Sequence, residues 1–381
     1  MTTEVSPSEA ARTAPTRSPG PSPAWQRAVL LIPAVFAMLA GLDAALILLG
    51  VSAPVTTKRL ADVHGMLLVF GFVGTLIALE RAVALRRTAG LAAPALLGLG
   101  GVLLASAAPL DAGKTTILLG AAALAVLYVP LWRRSRDSAV LVQAMGAVLA
   151  TGGLILWLGG VPVAVTLPWL VGFLVLTICG ERLELARLAM GPTADARLLQ
   201  LSAAVVVAVV AALLWPTVGY PLLGVALLAL VGWLAAHDVA RRTIRSTGLP
   251  RFAAGCMLAG YAWLAVTGGV WALTGAALDG PRYDAVIHAA FLGFTLAMIM
   301  AHAPVILPAV LHRPLPYHPA LIVPAGLLHA SLVLRVWVGD ALGVQGAVTA
   351  GGVLNVTALL LFAATAAWSA LSAGHTGRSS R

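Results

Sequence analysis

Charge is what this sequence has least of. Only 10% of its 381 residues are Asp, Glu, Lys or Arg, against about 25% in an ordinary soluble domain. So few charges cannot cover a soluble surface, and 60% of the residues are hydrophobic. Lipid is therefore the expected solvent. Cysteine is nearly absent as well. Cys179 and Cys256 lie far apart inside apolar runs, which argues against a disulfide, and there is no CxxC metal motif. The sequence also lacks a phosphate-binding glycine loop, a Walker lysine and an HExxH pair, the signatures of P-loop nucleotide sites and zinc proteases. Segments of about 10 residues alternating polar and apolar, the mark of a membrane β-barrel, are missing too.

What is present is a succession of long runs rich in Leu, Ala, Val and Gly. In hydrocarbon, backbone hydrogen bonds must close inside the chain. A spanning helix needs roughly 20 apolar residues, so the length admits about twelve. The expected fold is all-α and polytopic, with spans near 28–51, 61–84, 89–108, 115–132, 138–158, 162–185, 198–216, 220–238, 252–274, 284–310, 319–338 and 343–370. They form one transmembrane domain over 26–371. Residues 1–25, rich in Pro, Ser, Thr and Ala, read as a disordered tail. They are not a secretory signal, because no apolar core follows a short basic start. Residues 372–381 form a second short tail.

The formal net charge is +10. In a soluble protein that would suggest a nucleic-acid partner. Here the arginines instead alternate between loops. Arg12, Arg17, Arg27, Arg86, Arg87, Arg133, Arg134, Arg136, Arg187, Arg197, Arg241, Arg242, Arg245, Arg251, Arg313, Arg378 and Arg381 fall on one side. Lys58, Arg59, Lys114 and Arg282 fall on the other. The positive-inside rule makes the first side cytoplasmic. Both termini are then cytoplasmic, in a multi-pass protein of the cell (cytoplasmic) membrane. The expected partner is the lipid bilayer and not nucleic acid. Oligomeric state is left open.

A weak repeat runs through the chain. Gly71-Phe72, Gly172-Phe173 and Gly293-Phe294 fall in spans 2, 6 and 10, and nine positions after the glycine stand Glu80, Glu181 and His302. Spans four apart sharing this register suggest three repeats of four helices, a pseudo-threefold bundle. Gly-Phe is also common in membrane helices, so chance stays open at this point.

Ionisable groups in a bilayer are costly and usually face the bundle interior or an aqueous cavity. His64 and His288 each lie a turn inside the outer end of their spans, at similar depth. His329 is near the middle of span 11. Imidazole is the commonest transition-metal ligand. Two histidines at one depth on different helices suit a haem, and a simple hydrogen-bonded pair at a helix boundary explains the spacing equally. His64, His288 and His329 are the metal candidates. Asp43 is placed to orient a histidine or to pair with Lys58 or Arg59. Arg59, Arg282 and Arg335 are placed to hold haem propionates or to snorkel to the outer interface. His302 lies about 21 Å deeper than His288, at 1.5 Å per residue, so it belongs to another site. Glu80, Glu181 and His302 are candidates for proton or gate roles. The bland reading of Glu80-Arg81 and of Glu181-Arg182 with Glu184 and Arg187 is ion pairing at helix ends. Pro304, Pro308, Pro314, Pro316 and Pro319 are expected to break the chain between spans 10 and 11 and to end span 10 with a kink. Trp157, Trp169, Trp215, Trp271 and Trp337 are expected in the outer interfacial belt, with Trp25 and Trp132 at the inner one.

The segment Asp62-Val63-His64-Gly65-Met66-Leu67-Leu68-Val69-Phe70-Gly71-Phe72 resembles a helix of the NnrS family, where a His is followed by Met-Leu and then Gly-Phe. Ile287-His288-Ala289-Ala290-Phe291-Leu292-Gly293-Phe294 resembles that family's later His-Ala helix. The resemblance implies a twelve-span protein linked to haem, copper and nitric oxide resistance. More distantly, three arcs of four helices are similar to the catalytic subunit of haem–copper oxidases and nitric oxide reductases. That likeness implies His64 and His288 as the axial pair of a low-spin haem. The paired histidines of span 10 and the copper histidines of spans 6 and 7 are absent, which argues against an oxygen reductase. Where many NnrS proteins carry a second His, this chain has Asp62, which argues against copper. Three readings follow: a haem-binding membrane protein in redox or nitric oxide-related physiology, a proton-coupled secondary transporter, and a membrane assembly factor without its own chemistry. Whether it is an enzyme is left open, since fold alone does not decide function.

Overall fold

The structure, a computed structural model, describes residues 24–311 and 315–376. The tail reading of residues 1–23 and 377–381, and the loop positions of Arg313 and Pro314, lie outside the described residues. Among those described, twelve helices are long and apolar enough to cross a membrane. They are spans 1 to 12: Trp25–Leu48, Lys58–Leu85, Thr88–Ala105, Leu110–Ser135, Ser138–Leu158, Val163–Met190, Ala194–Leu214, Pro216–His237, Gly248–Thr274, Gly280–Ile306, Pro319–Ala341 and Gln345–Ser372. Each expected span overlaps one of them. The chain is a multi-pass, all-helical membrane protein.

The turns use familiar helix-stop chemistry. Arg86 and Arg136 close spans 2 and 4 in the left-handed conformation, at φ 58° and 53°. Pro109 and Pro162 precede spans 4 and 6 in extended backbone, which ends the preceding turn cleanly. Span 10 ends close to residue 310, as the sequence suggests, with two of the prolines inside the helix. The helix passes through Pro304 and Pro308 to Leu311, as membrane helices tolerate when neighbours re-satisfy the freed backbone.

Spans 2, 6 and 10 form the centre. Their apolar windows are 72%, 78% and 67% buried, and no other span exceeds 56%. Phe70 of span 2 stacks on Phe173 of span 6 with centroids 5.7 Å apart. Without a hydrophobic drive between helices in lipid, close packing depends on small residues. A Cβ on Gly71 would stand 2.8 Å from Ala37 Cβ and 3.3 Å from Gly101 Cα, so only glycine lets spans 1, 2 and 3 meet there. Spans 2 and 10 each contain a π-helical stretch, Leu67–Gly74 and Ala289–Leu296. Both begin four residues before the glycine of Gly71-Phe72 or Gly293-Phe294. Span 6 is α-helical throughout Val163–Met190. Stretches of π-helix recur at functional sites; here one starts three residues after His64 and the other directly after His288.

The interfacial belt is only partly observed. Trp25, Trp215 and Trp337 are exposed. Trp271 is instead fully buried, packed edge-on against Tyr220, and Trp157 is buried under Lys114. Both face helix neighbours rather than the interface. Both cysteines are buried and free.

Candidate functional site

A cavity of about 330 Å³ opens at the arginine-poor end of the bundle. Spans 1, 2, 6, 10, 11 and 12 line it, and most of the wall is apolar. His64 and His288 both face it, with Asp62, Arg335 and Asn355. Cofactor sites usually have this composition, apolar with a few converging polar groups, at about 300–1,000 Å³.

The two histidines are prepared alike. His64 Nδ1 lies 2.8 Å from the carbonyl oxygen of Gly41 in span 1. His288 Nδ1 lies 2.8 Å from the carbonyl oxygen of Asp284, one turn earlier in span 10. In each case Nδ1–H donates to the carbonyl, which leaves the lone pair on Nε2. Neither Nε2 has a protein partner among the described residues. Metal-binding histidines are usually held in this way. Asp284 also brings its carboxylate to 3.3 Å from His288 Nδ1. Arg335 of span 11 grips that carboxylate from Nε and Nη2, each at 2.8 Å.

The cavity has room for a group with polar edges. A Cβ at Gly352 would come within 2.6 Å of Arg335 Nη1, so the glycine leaves that nitrogen clear. Asn355 Nδ2 donates to Ser331 Oγ at 2.6 Å, while its Oδ1 is buried without a donor. Two imidazoles with open Nε2 atoms, one arginine nitrogen and one unmet acceptor suit a haem with its propionates.

The other expected site residues fall elsewhere. His329 does not line this cavity. Its Nδ1 accepts from Trp263 Nε1 at 3.1 Å and its Nε2 is buried without a partner. Among the described residues no three His, Cys, Asp or Glu side chains form a metal cluster, so His329 does not complete a set with His64 and His288. Asp43 accepts the Val55 N–H at 3.2 Å and pairs with neither Lys58 nor Arg59; the Gly41 carbonyl orients His64 in its place. Arg59 sits in the first turn of span 2 and donates to the Leu103 and Leu104 carbonyls at 3.1 and 2.8 Å. It caps span 3 and is not among the residues lining the cavity. Arg282 lines a separate cavity with Trp337 and Asp340.

A second, smaller cavity of about 110 Å³ lies at the arginine-rich end between spans 1, 2, 6 and 10. Glu80, Glu181 and His302 all line it, as their shared register suggests. Arg81 pairs with both Glu80 and Glu184. Arg182 does not pair with Glu181. It grips Asp238 from Nε and Nη2 at 2.8 and 2.7 Å, and its Nη1 donates to His302 Nε2 at 3.1 Å. Arg187 goes to Asp137 and Asp195. Glu181 is thus left buried, with both neighbouring arginines engaged elsewhere and no hydrogen bond among the described residues. His302 donates from Nδ1 to Met298 O at 2.7 Å, so both its nitrogens are occupied.

Asp238 is a residue that sequence reading passes over, since it looks like one acid in a basic loop. Its side chain is fully buried, and it accepts from Arg182, from Tyr261 Oη at 2.7 Å and from Ala240 N at 2.9 Å. Burial alone would raise its pKa, but the Arg182 bonds and charge outweigh it and hold the carboxyl below the ordinary range. The only hint in the sequence is its place beside three arginines that leave it uncancelled.

The chain belongs to the family described as a domain of unknown function, DUF8744, which it matches over residues 27–371. No curated protein and no solved structure matches it.

Proposed function

We propose that this member of the DUF8744 family is a haem-binding protein of the cytoplasmic membrane, with His64 and His288 as axial ligands, serving redox or nitric oxide-related physiology. The observation that carries this reading is the shared cavity: two imidazoles from remote spans face it, each with Nδ1 tied to a carbonyl and Nε2 open. Such a group, when bound, supplies one-electron redox chemistry. The protein's own part is to fix both imidazole tautomers, to meet a propionate with Arg335 Nη1, and to exclude water with the apolar walls. The resemblance of the two histidine segments to the NnrS family points the same way. We also read the bundle as three repeats of four helices. In support, spans 2, 6 and 10 meet at the centre, and spans 4 and 5, 8 and 9, and 12 and 1 pack at the joins. The arginine-rich loops argue for cytoplasmic termini.

The test is an oxidised and reduced absorption spectrum of protein purified from cells supplied with haem. A Soret band is expected with bis-histidine character, lost in both His64→Ala and His288→Ala. A colourless protein overturns the reading.

A second reading rests on the other cavity. Glu80, Glu181 and His302 from three central spans share it, as a proton-coupled transporter would require. Many transporters place such groups in the repeat interface. Proton flux in proteoliposomes driven by a pH gradient, in colourless protein, separates the two.

A further inference from the structure

At the arginine-rich end the connection between spans 8 and 9 folds over a cavity of about 650 Å³. Met190 and Gly191 from the end of span 6 form one wall, and His237, Arg241, Arg242 and Arg245 form the other. We propose that this cavity binds a phosphate-bearing anion, either a lipid headgroup or free phosphate.

Charge is the first argument. Among the described residues the only carboxylate in the wall is Asp238, and it faces away, fully buried against Arg182, Tyr261 and the Ala240 N–H. Arg241, Arg242 and Arg245 are exposed and have no acidic partner among the described ion pairs. By contrast Arg81, Arg182 and Arg187 at the same end each hold a carboxylate. Three guanidiniums within five residues repel one another, and an anion between them relieves that repulsion. Guanidinium forks match phosphate oxygens in pairs.

Rigidity is the second argument. Asp238 fixes the start of the loop, and Arg241 donates to the Ala236 carbonyl at the end of span 8. Arg242 N and Thr243 N continue the turn onto the Val239 carbonyl at 2.9 and 3.0 Å. The arginines therefore stand on a pinned turn rather than a loose loop. Gly191, at φ 93°, carries the opposite wall through a conformation that other residues rarely adopt.

Depth favours the lipid. Span 8 ends at His237, so the cavity lies where hydrocarbon gives way to headgroups. Basic side chains there attract anionic lipid.

The experiment uses the full chain in neutral detergent. Native mass spectrometry after addition of phosphatidylglycerol or phosphatidylcholine reads lipid retention, and thermal stability with inorganic phosphate reads the soluble arm. The control is Arg86→Gln/Arg87→Gln, which removes the same charge from exposed residues of the same end. Preferential retention of phosphatidylglycerol, lowered roughly tenfold or more in Arg242→Gln/Arg245→Gln and unchanged in the control, identifies a headgroup site. Stabilisation by phosphate with the same variant dependence, and no lipid preference, identifies a free-phosphate site. The proposal is overturned if neither probe acts, or if the control variant loses as much as the arginine variant. The outcome is independent of any haem at the opposite end.

Discussion

Arg335 holds both carboxylate oxygens of Asp284 at 2.8 Å. Asp284 in turn touches His288 through its carbonyl at 2.8 Å and its carboxylate at 3.3 Å. One acid therefore links span 11 to the candidate ligand of span 10. It acts as a positioning residue, fixing the orientation of the imidazole.

Asp284→Asn should show both effects. Arg335 is buried, and removing one partner of a buried pair costs about 3–5 kcal/mol, read as a lower Tm in detergent. Loss of a carboxylate behind a metal-bound imidazole weakens metal affinity about 10–100-fold, so haem occupancy should fall and the reduction midpoint should rise. A variant with unchanged midpoint and occupancy would separate Asp284 from His288.

His329→Ala should leave any haem spectrum as it is. The residue accepts from Trp263 and does not reach the His64–His288 cavity. The expected loss is one neutral hydrogen bond, about 0.5–1.5 kcal/mol, seen in Tm alone. Bleaching of the Soret band in this variant would show that the ligand pair is wrongly chosen.

Asp238→Asn should destabilise at neutral pH by about 3–5 kcal/mol, because Arg182 is left buried without its partner. The sign with pH follows from the depressed carboxyl. Its contribution is complete above the unfolded value near about 3.9 and declines only as pH falls through the lower folded value. Tm curves of wild type and Asp238→Asn should thus run parallel from neutral to mildly acidic pH and converge only in strong acid. Convergence near neutrality would contradict the pairing.

Glu181→Gln and Glu80→Gln should differ. Glu181 is buried with no hydrogen bond among the described residues, whereas Glu80 pairs with Arg81. If the smaller cavity carries protons, Glu181→Gln abolishes proton flux in proteoliposomes with little change in Tm. Glu80→Gln lowers Tm by removing one of the two carboxylates that pair with the buried Arg81. Equal flux in wild type and Glu181→Gln would remove the transporter reading.

The site was legible in part. Equal depth of His64 and His288 could be counted along two helices of known rise, and the shared register of Glu80, Glu181 and His302 put them at one end. Which groups hold them could not be counted. The Gly41 carbonyl, Asp284 and Arg335 reach the histidines across span boundaries, and a sequence carries no measure of which helices become neighbours. Asp43 and Arg59 were reasonable partners by depth, yet a nearer N–H and two helix-end carbonyls took them.

The number of spans and the helical class follow from sequence alone. Hydrocarbon offers the backbone no hydrogen-bond partner, so every apolar run of sufficient length must satisfy itself as a helix. The pairing of Arg182 with Asp238 rather than Glu181, the burial of Trp271 and the facing of His64 and His288 onto one cavity were decided by tertiary structure. They depend on through-space approach between helices far apart in the chain, set by how small residues such as Gly71 let neighbouring spans close.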